Sequence, residues 1–412
     1  MRIFLIDVIL LVITIISFTY YILNVYYSTY YKKGAQNEGI STENATIIIP
    51  VYNEDKETFI KVIKSIKEQG AKFIVVGDSS LEPYKTITEE SGGVFIYNAV
   101  RGGKKNALAT GIRNVETKYV MFVDSDTIIL PGTLKSMLTY FTGNVAGVGV
   151  NIHVKNDGRI VSYASEFVQR LTEMISKSMS RHGIIYVLDG ICVVYDTGII
   201  KPYILSDEFL NKKLLGKKVM LGDDMQLTSY LIKNKYSMIK DYDISVETEP
   251  EANFKKYLNQ QIRWSRRGWY FFFKNFSNGT AKNGGKFYSF ELLYIYLIPI
   301  IGFVLFMFRA AFFMRFLGHI DYLSAQRLSR FAMYAIFHFH SHRGFFYNAL
   351  ITTSSYIIGT LGDLIFIAAM VIKIPKNRIR TLAYGGIGLA MLFFVNLYGL
   401  ATFWKQSKWL SR

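Results

Sequence analysis

The strongest constraint on this chain is where its apolar residues lie. Residues 3–27 form an almost unbroken apolar run in which Asp7 is the only charge. A helix of that length is long enough to cross a hydrocarbon core about 30 Å thick. The run lacks the small-residue cleavage site of a secretory signal, so it is read as an uncleaved transmembrane helix. It is followed by the basic link Tyr31-Lys32-Lys33-Gly34. Long apolar runs return only late, at 290–308, at 345–372 and at 382–404, the last containing Gly385, Gly386 and Gly388. That final run fits either a fourth span or a helix lying shallowly in the interface. A chain divided in this way is a membrane protein with a soluble insert.

The insert reads as α/β. ATIIIPVY, KFIVVGD, GVFIYN and YVMFV have the short, continuous apolar character of buried strands. Between them Phe59, Val62, Ile63 and Ile66, then Leu108 and Ile112, fall at helical spacing, as do Leu134, Met137, Leu138 and Phe141 further on. Strands alternating with helices imply a mainly parallel sheet covered on both faces. Ligands of such sheets gather at the carboxyl ends of the strands. Asn53-Glu54, Asp78 and Asp124-Ser125-Asp126 all stand there, where a nucleotide would bind. Asp124 and Asp126 flank one residue, so on extended backbone their carboxylates point the same way and suit one hard divalent cation. Alone, such a pair is more often two polar residues closing a strand.

Residues 253–274 mix aromatics with Lys and Arg, the composition of a helix lying in the membrane interface. A polar Gly/Asn/Lys link, residues 275–286, leads to the C-terminal apolar runs. The net charge of +17 has its basic residues largely beside those runs, which points to the cytoplasmic membrane face and an anionic substrate rather than to nucleic acid. The single cysteine, Cys192, excludes an intrachain disulfide and any multi-cysteine metal site, and is read as buried. His338, His340 and His342 alternate as metal ligands do, but a juxtamembrane basic loop is the better reading. The sequons at Asn44 and Asn278 would face the cytoplasm and carry no glycan.

Taken in order, IPVYNE, VVGDSS, RGGKKNAL, VDSD, LDG, LGDD, QQIRW and the terminal KWLSR form a constellation. It resembles the membrane-embedded family-2 inverting glycosyltransferases, most closely the hyaluronan synthases and nodulation-type chitin oligosaccharide synthases. The resemblance runs from about Thr46 to Trp264, with a looser match in the membrane segments and tail. It implies a GT-A-type nucleotide-sugar-binding mixed sheet flanked by helices, inserted between transmembrane helices, with amphipathic interfacial helices. The implied boundaries are 1–30 for the first transmembrane helix, 45–250 for a cytoplasmic transferase domain and 251–286 for the interfacial helix and link. Residues 287–404 would form transmembrane and interfacial helices, and 405–412 a tail over the active site.

The resemblance also assigns roles. Asp78 is similar to the aspartate that contacts uracil, with Pro50, Tyr52 and Glu54 lining that end of the pocket. Lys104 and Lys105 match the basic pair near the donor's diphosphate. Asp124 matches the ribose-side carboxylate, and Asp126 the ligand of a Mg²⁺ or Mn²⁺ on the diphosphate. Asp224 matches the catalytic base, with Asp223 beside it left unassigned. Gln260, Arg263 and Trp264 match the QxxRW box, with Gln260 and Arg263 toward the donor and Trp264 as a platform for the acceptor sugar. They stand at i, i+3 and i+4, hence on one helix face.

The implied activity is transfer from a UDP-sugar to a growing polysaccharide that is extruded. Its rivals are a transferase acting on a membrane lipid and a non-catalytic transporter or scaffold. Taken singly, GDD is a helix start that favours acids, RGGKKN a solvated basic turn, and Trp264 an interfacial anchor. Three departures from the family pattern bear on substrate. Asp189-Gly190-Ile191 replaces SGP in the acceptor region, so Asp189 and Gly190 are candidate acceptor contacts. Val76-Gly77-Asp78-Ser79-Ser80 keeps one of two aspartates. Trp409 and Arg412 align with a W-G-T-R tail whose middle is here Leu410-Ser411. A tail reaching a cytoplasmic active site requires an even number of spans after the insert, which favours two spans and a shallow final helix.

Overall fold

The computed structural model describes residues 2–31, 34–37, 39–211, 213–218, 222–318, 343–374 and 377–405. His338, His340, His342, Trp409 and Arg412 lie outside the described residues. The chain divides into two compact units.

The larger unit comprises residues 27–289 and 374–412. Its elements begin with β1 (Ala45–Val51), α2 (Lys56–Lys67), β2 (Lys72–Asp78), α3 (Tyr84–Glu90), β3 (Val94–Asn98), α4 (Lys104–Arg113) and β4 (Tyr119–Val123). There follow α5 (Thr133–Leu138), β5 (Val145–Val154), α6 (Ile160–Ser180), β6 (Cys192–Asp196), α7 (Thr197–Ile204) and α8 (Asp207–Leu210). A small hairpin, β7 (Lys213–Leu214) and β8 (Lys217–Lys218), precedes α9 (Asp223–Lys233), β9 (Ser237–Thr248), α10 (Phe254–Ser277) and α11 (Thr280–Asn283). The α1 helix (Arg2–Thr29) precedes all of these.

The main sheet has seven strands in the order β3-β2-β1-β4-β6-β5-β9. Its first four are parallel, as expected for strands whose residues are apolar without alternation. β6 runs antiparallel to both neighbours, and β9 is again parallel to β5. β1 and β4 lie at the centre, with every residue of β4 buried. Ile47, Ile49, Phe59, Val62, Ile66, Met121, Leu134 and Met137 form one continuous core on one side. Asp55 caps α2 by accepting from Thr58 N at 2.8 Å.

Two elements differ from the sequence pattern. The α5 helix stops at Leu138, so Phe141 packs on Tyr119 from beyond the helix end, before the chain turns at the left-handed Gly143. α6, an element not anticipated above, buries a mixed face: Val161, Ala164, Phe167 and Met174 lie beside Glu166, Arg170 and Glu173. Arg170, 1% exposed, pairs with Glu166 at 3.0 Å and with Glu173.

The smaller unit, residues 1–26 and 290–373, holds the first part of α1, most of α12 (Gly285–Gly318) and α13 (Arg343–Lys373). Tyr20 stacks on Tyr294 with ring centroids 3.5 Å apart, and Asn24 Nδ2 donates to Glu291 at 2.8 Å. Among the described residues four helical segments are long and apolar enough to cross a membrane: Asp7–Thr29, Gly285–Leu305, Leu350–Lys373 and Arg378–Leu400. They mark the chain as an integral membrane protein.

The last segment, α14 (Arg378–Leu400), groups with the sheet-bearing unit and packs on α6 and α10. A Cβ at Gly385 would overlap the ring of Phe167, and one at Gly399 would overlap Ser265. Arg266 Nε donates to Thr402 Oγ1 at 2.9 Å, and Trp269 Nε1 to Asn396 O at 3.0 Å. Its outward residues Ile379, Ile387 and Phe394 are exposed.

Candidate active site

The carboxyl ends of β1, β2 and β4 carry IPVYNE, VVGDSS and VDSD, and short hydrogen bonds tie them into one surface. Ser125 Oγ donates to Glu54 at 3.0 Å, and Asn53 N donates to Ser80 Oγ at 3.1 Å. Both oxygens of the buried Asp78 accept backbone amides of the next loop, from Gly102 at 2.7 Å and from Gly103 at 2.8 Å. This carboxylate therefore shapes the turn that launches α4. Pro50 is the last residue but one of β1, and the guanidinium of Arg101 lies over the ring of Tyr52, 3.8 Å from its centroid.

Lys104, the first residue of α4, is the hub. Its Nζ lies 2.5 Å from Asp124, 3.5 Å from Asp223 and 2.9 Å from the carbonyl of Gly190. Four distant stretches of sequence meet there: RGGKK, VDSD, LDG and GDD. The LDG loop is also pinned at both sides, since Asp124 N donates to Ile191 O at 3.0 Å and Leu188 N to Thr228 Oγ1 at 3.1 Å. A Cβ at Gly190 would come within 3.3 Å of Asp224 Cβ and of Lys104 Nζ, and 3.4 Å of Asp223 Oδ2. The loop thus approaches the acid pair as closely as a residue without a side chain allows. Asp126 stands one residue beyond Ser125 and is half-buried.

α10 closes the other side. Arg267 Nη1 donates to both oxygens of Asp224, at 2.9 and 3.0 Å. Asp224 Oδ1 also accepts from Met225 N at 2.7 Å. Among the residues expected from sequence, Gln260 instead bonds Glu251 at 2.9 Å, and Lys105 turns inward to Gln226 at 2.7 Å. Asp189 pairs with the buried Lys240 at 2.7 Å. Trp264 and Arg263 are half-buried on α10. Arg267 was absent from the sequence-based set although it follows Arg263 at i+4, one turn along the same face. Lys240 and Gln226 carried no local signal at all.

Crowding of charge perturbs the protonation of this cluster. Burial, reinforced by Asp126 and opposed by Lys104, pushes Asp124 up to about 6. Burial alone would depress Lys104, but Asp124 and Asp223 outweigh it and hold the ammonium firmly charged. Burial would raise Asp223, but Lys104, Lys105 and Arg267 together keep it below the usual carboxylate range. Asp224 is pushed up by burial and by Asp223 against the pull of Arg267. Burial, and then the neighbouring Arg267, lower Arg263 to about 10. The cluster is therefore a pair of acids with unequal proton affinity, set among fixed cations. Among the described residues no group of three or more His, Cys, Asp or Glu side chains is arranged to hold a metal.

The mixed seven-stranded sheet flanked by helices is GT-A-like. The mannosyltransferase PcManGT from Pyrobaculum calidifontis, solved with GDP-Man and Mn²⁺, shares this fold with a TM-score of 0.57. It is 16% identical to this chain, covering 88% of it and 99% of the other. Residues 43–267, more than half of the 412, match the family described as glycosyltransferase like family 2, and the chain belongs to that family. It is 26% identical over 241 residues to a hyaluronan synthase of Streptococcus pyogenes, covering 53% of this chain and 55% of that protein. It is 25% identical over 244 residues to an N-acetylglucosaminyltransferase of Azorhizobium caulinodans, covering 55% of this chain and 59% of that protein. The match thus spans little more than half the length of these relatives.

Proposed function

We propose that the chain is a membrane-integrated inverting transferase that moves a hexose from a UDP-sugar onto a growing glycan and extrudes the product. One observation carries the reading. Lys104 joins Asp124, at the end of β4, to Asp223, at the start of α9, so that donor-side and base-side acids share one cleft. In this reading Tyr52, Glu54 and Asp78 receive the uridine, and Asp124 the ribose. Lys104, Lys105 and Arg263 offset the diphosphate. Asp224 is the base, Gln260 faces the donor on the same helix side as Arg263, and Gly190 and Trp264 border the acceptor sugar.

The reaction is an in-line displacement. The acceptor hydroxyl oxygen bonds to the anomeric carbon as that carbon's bond to the β-phosphate oxygen breaks, and UDP leaves with the electron pair. Asp224 takes the hydroxyl proton. Its raised proton affinity suits a group that must accept a proton, while Asp223 beside it stays ionised. The fixed cations stabilise negative charge growing on the leaving diphosphate.

A divalent cation fits this donor set. Mg²⁺ is commonly held by one or two carboxylates plus substrate phosphates, so Asp126 with the donor's own oxygens suffices without a three-ligand cage. When bound, such an ion supplies further charge neutralisation for the departing diphosphate. The DSD segment, through the backbone link to Ile191, keeps that ligand in register with the acceptor loop.

The packing of α14 on α6 and α10, with an apolar outer face, supports two spans after the insert and a shallow interfacial last helix. In this reading the transferase unit faces the cytoplasm. The test uses the full-length protein in lipid nanodiscs with UDP-glucose, UDP-N-acetylglucosamine and UDP-glucuronate, singly and in pairs, with Mg²⁺ or Mn²⁺. UDP release is measured, and the product is sized, extracted and digested with hyaluronidase, chitinase and cellulase. The reading predicts release with at least one donor and a polymer of inverted anomeric configuration. A short product that partitions into organic solvent would make a lipid the acceptor, and no release with any donor would overturn the reading.

A further inference from the structure

We propose that Arg267 is the positioning residue of the base: it holds the Asp224 carboxylate in one orientation against the cleft. The inference rests on reading Asp224 as the proton acceptor. It concerns a residue outside the QxxRW box, one helical turn past Arg263.

Three features support it. First, one guanidinium nitrogen is shared between both carboxylate oxygens, and Oδ1 is also held by Met225 N. Rotation of the carboxylate would break at least one of these bonds. Second, room for the arginine stem is built into the GDD turn. Gly222 has φ +92°, and a Cβ there would come within 2.9 Å of Phe271 Cε2 and 3.0 Å of Arg267 Cδ. A side chain at that position would therefore strain the turn and push Arg267 away from the acid. Third, α10 is fixed against rotation by its neighbours. Arg266 and Trp269, flanking Arg267 in sequence, bond to Thr402 and Asn396 at the end of α14 and just beyond it. The helix thus presents Arg267 to the cleft while its other side is locked to a separate element.

The residue type matters. Only Nη1 of the guanidinium touches the carboxylate, so a lysine can restore the charge, but its flexible stem holds the orientation less firmly than the rigid planar group does. Without any cation here, Asp224 would be left partly buried beside Asp223, and proton uptake would begin at higher pH. Arg267 Nε is itself buried without a hydrogen-bond partner among the described residues. The competing role, a contact to the donor's diphosphate, must therefore be measured separately.

The experiment compares wild type with Arg267→Met, Arg267→Lys and Asp224→Asn, each full-length in nanodiscs. UDP with Mg²⁺ is titrated by calorimetry, and steady-state UDP release is followed against pH with the donor that supports turnover. For Arg267→Met the expected result is UDP affinity within about twofold of wild type, kcat lower by roughly 10–100-fold, and an acid limb displaced to higher pH. Arg267→Lys should recover part of both kcat and the limb. A large loss of UDP affinity with kcat unchanged would overturn the proposal in favour of a diphosphate contact. An unmoved limb, with equal losses in both arginine variants, would overturn it in favour of a purely structural role. Should Arg267→Met not fold, Arg267→Lys and Arg267→Gln carry the same comparison. Undiminished turnover by Asp224→Asn removes the base reading and this inference with it. Failure of wild type to bind UDP removes the donor reading alone.

Discussion

Replacing Gly190 tests how tightly the Asp189-Gly190-Ile191 loop, the acid pair and Lys104 converge. In Gly190→Ala the new methyl would lie 3.3 Å from Asp224 Cβ and from Lys104 Nζ. Carbon–carbon contacts are optimal at about 3.5–4.0 Å, so a few tenths of an ångström must be found. Lys104 yields only by lengthening its 2.5 Å contact to Asp124 or its 2.9 Å bond to Gly190 O. Gly190 is not among the residues with positive φ, so the backbone itself is not strained. Alanine gains about 0.4–1 kcal/mol by restricting the unfolded chain, against about 1–3 kcal/mol for overpacking. The net loss is about 1–2 kcal/mol, a fall of a few degrees in melting midpoint. Turnover is more sensitive, because misplacing reacting groups by about 1 Å costs about 100-fold. We expect roughly tenfold lower kcat in Gly190→Ala and about 100-fold in Gly190→Val, with the fold retained. The assay pairs UDP-release kinetics with thermal melting of the nanodisc protein. Wild-type turnover by Gly190→Val would refute the convergence.

Two further outcomes follow from the same structure. Gly385→Ala should destabilise the protein because its Cβ overlaps Phe167, whereas Gly386→Ala, with nothing within 4 Å, should be neutral or stabilising by up to about 1 kcal/mol; equal melting midpoints would argue against α14 packing on α6. Under the proposed role of Asp224 as base, its carboxylate must be ionised for turnover, and burial and Asp223 push its proton affinity upward. Activity should therefore fall, as pH is lowered, at values above the ordinary aspartate range near about 3.9; a profile flat down to about pH 4 would contradict this.

Much of this architecture is legible in the residues themselves, for identifiable reasons. β1 and β4 are buried on both faces, so ATIIIPV and YVMFV read as unbroken apolar runs, and the acids that follow them mark the sheet's functional edge. α6 shows Val161, Ala164, Phe167 and Met174 at helical spacing, but the ion pairs that share its buried side, Arg170 with Glu166 and Glu173, are not legible from that pattern. The last helix is ambiguous because small residues do its packing. Gly385 and Gly399 meet Phe167 and Ser265, leaving a composition that also suits a membrane span. Within the site, Asp124, Asp224 and Lys104 are recognisable from motif order. The partner of Asp189 is not, since Lys240 is brought to it only by the β9 register beside β5. Arg267 was within reach of helical periodicity, but the QxxRW box stops three residues short of it.

In the proposed mechanism one cleft holds the donor's diphosphate and its metal beside a separate proton acceptor. Mn²⁺ electron paramagnetic resonance on the nanodisc protein with UDP, paired with UDP-release rates, tests it most directly. Asp126→Asn should lose bound Mn²⁺, with affinity weakened by at least the roughly 10–100-fold seen for outer-shell partners. Asp224→Asn should bind Mn²⁺ and UDP as wild type does while turnover falls by about 100-fold or more. Wild-type turnover in Asp224→Asn, or unchanged Mn²⁺ binding in Asp126→Asn, would contradict the account.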